Sequence, residues 1–255
     1  MLNIALNTFR ELVRSRLLAL IMFFSVATIL FSVVLASLSL GQTERMVLDF
    51  GLSMIEISGL IAVVFVGGQM LAREIEGRTI YLILSKPISR HAFVLGKFLG
   101  FAMVLAVIYL AETAVLAGLL VYEDLMPGKL FFFAAFFSYL KLLVTFAVVL
   151  FFSTFAAPML SILFSLGVFV SSHSANAVAD MAVKTKSAAL MWFSQGLAVA
   201  LPNFEALSYP KKLIATDVPL PDSALALAAG QSALYLCLIL LFASLVFSKK
   251  NFENA

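Results

Sequence analysis

Long apolar runs, separated by short polar stretches, divide this chain into six blocks. A membrane-spanning helix needs about 20 mostly apolar residues, and the runs fall near 17–40, 52–71, 98–121, 130–156, 158–179 and 222–247. The fourth and fifth are parted only by Ala157-Pro158. A single helix from Leu130 to Val170 would be about twice the bilayer thickness, and Pro158 suits the first turn of a new helix while disfavouring helix at Ala157. The pattern predicts a tight hairpin there. It also predicts an all-α, polytopic membrane fold, with residues 1–255 forming a single transmembrane domain.

Three stretches are not simple spans. In residues 1–16, Ile4, Leu6, Phe9, Leu12 and Val13 alternate with Asn3, Asn7, Arg10, Arg14 and Arg16, the pattern of an amphipathic helix lying in the interface; the plainer alternative is a basic flank of the first span. Residues 180–221 mix an apolar section, Ser187 to Leu201, with Pro202, Pro210, Pro219 and Pro221. That section is too short to span, so a re-entrant or surface-lying helix is expected on the outer face, with Trp192 near the headgroups. Residues 73–97 form the largest connection on the other side. There Lys86-Pro87 breaks the chain and Ser89 can cap a helix starting near Arg90, so the expectation is a short helix, a break and a second short helix leading into the membrane.

Composition agrees with lipid as the solvent. Hydrophobic residues make up 63% and charged residues 12%, about half the charged share of an ordinary globular protein. A soluble fold could not coat itself with so few polar groups. The net charge of +3 is small and the basic residues form no stripe, which excludes a nucleic-acid partner. Cys237 stands alone in an apolar run, so neither an intrachain disulfide nor a cysteine metal site can form. The basic N-terminus resembles a signal peptide, but the run from Leu17 to about Leu40 exceeds a secretory core of roughly 7–15 residues; a retained span is expected.

Lys and Arg are enriched in cytoplasmic loops. With the N-terminus inside, the cytoplasmic segments hold ten of the seventeen basic residues: Arg10, Arg14, Arg16, Arg73, Arg78, Lys86, Arg90, Lys97, Lys249 and Lys250. Arg45, Lys129, Lys184, Lys186, Lys211 and Lys212 lie outside and Lys141 lies within the fourth span. Both termini are therefore expected in the cytoplasm.

The segment Glu74-Ile-Glu76-Gly-Arg78-Thr79, the apolar stretch closing in Leu84-Ser85-Lys86-Pro87-Ile88-Ser89-Arg90, and Gly96-Lys97 at the next span resemble the permeases of type-2 ATP-binding-cassette (ABC) exporters. The amphipathic N-terminus, six spans, outer insertion and basic tail extend the likeness over nearly the whole chain, although only 74–97 is specific in sequence. The resemblance implies a permease subunit in a prokaryotic plasma (inner) membrane, working as a homodimer with two copies of a separate cytoplasmic ABC ATPase. It implies that 73–97 is a coupling segment seated in the ATPase, with Glu74, Glu76, Arg78, Lys86, Arg90 and His91 at or beside that interface. It implies export, and no catalysis or cofactor in this chain. No G-x-x-x-x-G-K-[ST] loop occurs, and Gly96-Lys97 lacks both the earlier glycine and a following Ser or Thr; ATP would need a site on another polypeptide.

Charged groups in apolar runs are costly and invite functional readings. Glu56 and Glu112 fall toward the outer half of their spans and Lys141 nearer the middle of its own. Pairing of Lys141 with one glutamate would relieve desolvation; a substrate or ion pathway, or snorkelling, are the alternatives. The ten methionines form no cluster that would hold copper. His91 and His173 fall on opposite sides of the membrane, so they share no metal. Gly67-Gly68 and Gly96 with Gly100 permit close helix approach, within the chain or at a dimer seam. Two rival classes remain: an ion-coupled secondary transporter, and a non-transporting membrane anchor that recruits a soluble partner.

Overall fold

The computed structural model describes residues 1–37, 43–76, 89–214 and 222–249, and no strand occurs among them. In chain order the helices are α1 (Leu2–Val13), α2 (Arg16–Ser37) and α3 (Thr43–Ile61), then a π-helical stretch (Ala62–Gly67) running into α4 (Gly68–Glu76). There follow α5 (Arg90–Tyr122), α6 (Lys129–Ser153), α7 (Pro158–Thr185), α8 (Ala188–Ala200), α9 (Phe204–Leu207), α10 (Tyr209–Ile214) and α11 (Asp222–Lys249). Six crossings are long and apolar enough to span a membrane, namely α2, the α3–α4 run, α5, α6, α7 and α11.

Local chemistry sets the helix ends. The Ser89 hydroxyl accepts from the Ala92 N–H at 3.2 Å and caps α5. Pro158 occupies the first turn of α7 behind an extended Ala157 (φ −63°, ψ 153°), so the fourth and fifth apolar runs are separate helices. Lys186 adopts a left-handed conformation (φ 51°) that ends α7, and Ser187 then caps α8.

The structure departs from the sequence pattern at the third crossing. While the expected first short helix and the break at Lys86-Pro87 lie outside the described residues, Arg90 to Tyr122 is one helix of 33 residues, so the helix that Ser89 caps runs into the crossing without interruption. The reason is Lys97: its charge interrupts the apolar pattern, but its side chain is buried and pairs with Glu74, so nothing forces a break. The second crossing is likewise longer than its apolar run, starting at Thr43. Its π-helical stretch widens one turn of that helix at a level where five of six residues, Phe65 excepted, are buried.

α6 is the centre of the bundle: 67% of its apolar window is buried, against 11% for α7. The α3–α4 run and α5 pack around it, while α2, α7 and α11 leave most of their surface for lipid. Six crossings bring α1, the end of α4, the start of α5 and the end of α11 to one face, the terminal face. α1 lies along the start of α5 and buries Ala5, Thr8 and Leu12. The approach is close because α5 presents glycine there: a Cβ at Gly100 would stand 2.6 Å from the Ala5 carbonyl oxygen and from Thr8 Cβ. Gly67 and Gly68 are filled from within the chain too, by Phe146 and Ile162.

At the opposite face, the chain turns back after α8, and α9 and α10 dip into the bundle. Ser208, between α9 and α10, reaches Lys141 near the midpoint of the 25-residue α6. Tyr235, near the middle of α11, donates to the Ala200 carbonyl at the end of α8. Phe204 and Leu207 anchor the dip among Phe137, Val144 and Leu225, whereas α8 buries no residue.

Candidate functional site

The dip closes over a buried polar cluster at mid-bundle. Lys141 is 1% exposed, and its ammonium lies 2.5 Å from Glu56 Oε1 on α3 and donates to Ser208 Oγ at 2.7 Å. The second Glu56 oxygen is 3.8 Å from Lys211 Nζ on α10, which donates to Ser53 Oγ at 2.7 Å. On α7, His173 Nδ1 lies 3.2 Å from the Phe169 carbonyl and Nε2 lies 3.4 Å from Lys141 Nζ. The tautomer that satisfies both contacts carries its hydrogen on Nδ1 and offers the Nε2 lone pair to the ammonium. Phe169 and Phe204 flank the imidazole. One carboxylate thus bridges two ammonium groups from two elements. Pairing and hydrogen bonds offset the cost of a lysine at this depth, which an isolated charge would bear in full.

Of the charges that the sequence placed inside the membrane, the structure brings Glu56 and Lys141 together and leaves Glu112 apart. Glu112 is fully buried on α5, where Ser58 donates to Oε2 at 2.8 Å. Sequence reasoning missed Ser53, His173, Ser208 and Lys211. The available signal was Ser53 three residues before Glu56 on one face of α3, whereas Ser208 sits in the turn between α9 and α10 and gave no such signal.

The segment proposed to meet an ATPase begins and ends at the terminal face. Glu74 pairs with buried Lys97, and burial pushes the Glu74 carboxyl above its usual range against the pull of Lys97. Arg90 Nη1 donates to the Ser248 carbonyl at 2.8 Å, at the last turn of α11, where a cation complements the helix dipole. Phe93 stacks on Phe247 beside it, with ring centroids 5.5 Å apart. His91 is exposed on the first turn of α5, and Glu76 ends α4. Arg78 and Lys86 lie outside the described residues. Among the described residues no group of three His, Cys, Asp or Glu side chains could hold a metal.

A family model described as an ABC-2 family transporter protein matches residues 2–250. No curated protein matches the chain. The matched range takes in α1, all six crossings, the mid-bundle cluster and the joints at the terminal face, and the chain accordingly belongs to the ABC-2 transporter family as a multi-pass membrane permease component of an ABC transporter.

Proposed function

We propose that this permease couples a separate cytoplasmic ABC ATPase to export of a substrate across a prokaryotic inner membrane, that two copies form the working unit, and that the chain itself catalyses nothing. In this reading the terminal face is cytoplasmic, as the bias of Lys and Arg toward that face favours. Residues 73–97 receive the motion of the ATPase, with Glu76, Arg78, Lys86 and His91 as the contact residues. Glu74 and Arg90 stand beside them as the joints that pass the motion on.

The observation that carries the reading is how both ends of 73–97 are fastened. Glu74 on α4 is tied to Lys97 on α5, Arg90 is tied to the end of α11, and α1 is packed into the glycine face of α5. A push on this segment is delivered to the α3–α4 run, α5 and α11 together. Packed helices move as rigid bodies when their contacts hold, so closing of an ATPase pair would rearrange the crossings. The dip, which enters from the opposite, outer side, and the mid-bundle Glu56–Lys141–Lys211 cluster beneath it are then the part that closes the path.

Affinity purification in mild detergent tests this, with identification of the partner and an assay of its ATP hydrolysis. Recovery of an ABC ATPase whose hydrolysis depends on this chain is the expected result, with loss of the complex in the Arg78→Glu/Lys86→Glu variant. Recovery of no ATPase, or full binding by that variant, contradicts the coupling site.

A further inference from the structure

A second polar site lies away from the Lys141 cluster, where α2 and α3 part to leave a groove of about 370 Å³. Its rim is apolar and faces outward: Leu20 and Phe24 on α2 and Ile57 on α3 are all exposed. Ser25 and Ser58 line it as well, and they are 5% and 6% exposed. Directly behind them stands the Glu112 carboxyl of α5, with no exposure at all. Ser58 Oγ lies 2.8 Å from Glu112 Oε2 and 2.9 Å from the Ile55 carbonyl. A hydroxyl has a single hydrogen to share between those two acceptors. The Ser25 hydroxyl approaches the same carboxyl, yet Ser25 Oγ and Glu112 Oε1 are both buried without a hydrogen-bond partner.

That combination is costly for a structural feature. An unfilled acceptor on a buried carboxyl group is costly, and among the described residues no cation is bonded to Glu112, in contrast to Glu56 with its two lysines. What would fill the gap is a donor, and a positively charged one fits a carboxyl best. The rim selects the rest of the molecule, because only something dissolved in lipid reaches this surface of α2. We propose that the α2–α3 groove binds a membrane-dissolved amine, with its apolar body along Leu20, Phe24 and Ile57 and its nitrogen donating through the Ser25–Ser58 gap to Glu112. This deepens the permease reading by naming a class of transported molecule, and it rests on that reading only for the transport.

The test uses the full chain in phosphatidylcholine nanodiscs, with radiolabelled dodecylamine as the probe and dodecanol and dodecanoate as competitors. Saturable dodecylamine binding is expected, with neither the alcohol nor the acid competing. Glu112→Gln should weaken it by roughly ten- to a hundredfold, the loss of one charge-assisted bond. Ile57→Trp, which fills the groove from the lipid side and leaves the carboxyl in place, should block it. Equal binding by both variants, or equal competition by dodecanol, overturns the proposal. If Glu112→Gln does not fold, the Ile57→Trp variant and the competitors still decide. Wild-type protein that recovers its ATPase but binds no dodecylamine sinks this inference alone, and wild-type protein that recovers no ATPase sinks the coupling reading alone.

Discussion

Lys141 Nζ lies 2.5 Å from Glu56 Oε1 at the middle of the bundle, and the pair is closed over by Ser208 and Lys211 of the segment that dips in from the face opposite the termini. The crossings α3 and α6 and the dip are thereby joined by one carboxylate.

Breaking the pair from one side leaves a buried charge. Lys141→Met or Glu56→Gln alone is expected to destabilise the protein by about 3–5 kcal/mol, read as a fall in the thermal midpoint in detergent. The Glu56→Gln/Lys141→Met double variant should recover part of that loss, since the two most buried charges are removed together and only the partly exposed Lys211 is left without Glu56. Additive losses in the double variant would show that the two residues act separately.

The seat of α1 depends on the absence of a side chain at Gly100. Gly100→Val would collide with the Ala5 carbonyl and Thr8, and overpacking of this kind costs about 1–3 kcal/mol. Maleimide labelling of a Thr8→Cys reporter, 2% exposed at the parent residue, should be slow in the parent and fast with Gly100→Val. Equally slow labelling in both would mean that α1 does not depend on this contact.

Glu74 gives a pH signature. Burial raises its carboxyl above the ordinary carboxylate range, partly countered by Lys97, so the folded chain holds this proton to higher pH than the unfolded chain does. The Glu74 contribution to stability is therefore greatest below the ordinary carboxylate range and declines as pH rises through the raised value. Thermal midpoints followed across that window should show this downward component in the wild type and lack it in Glu74→Gln, which also leaves Lys97 without its ion-pair partner.

Arg90 is expected to hold the end of α11. Arg90→Ala removes its donor from the Ser248 carbonyl and should speed proteolytic trimming near Ser248, at a cost of about 1.5–3 kcal/mol at most for one charged hydrogen bond. Unchanged trimming would show that the Phe93–Phe247 stack alone suffices.

The crossings were legible because a bilayer makes a strict demand on length and polarity, and Pro158 marked the split between α6 and α7 through its fixed backbone. The continuity of α5 was not legible, because a lysine in an apolar pattern reads as a boundary until Glu74 is seen beside it. The mid-bundle cluster was half legible: Glu56 and Lys141 stand out as charges within apolar runs, whereas Ser208 and Lys211 lie in a proline-containing stretch and gain meaning only when the chain folds back to the level of Lys141. His173 looked isolated because its partners come from α6 and from the carbonyl of Phe169 on its own helix.

The most direct test of the central claim is site-specific photo-crosslinking in membranes that contain the ATPase. A crosslinker replacing exposed His91 at the terminal face should give an adduct with the ATPase, and one replacing exposed Trp192 on α8 should give none. An ATPase adduct from position 192, or none from position 91 in a complex that still co-purifies, would contradict coupling through residues 73–97.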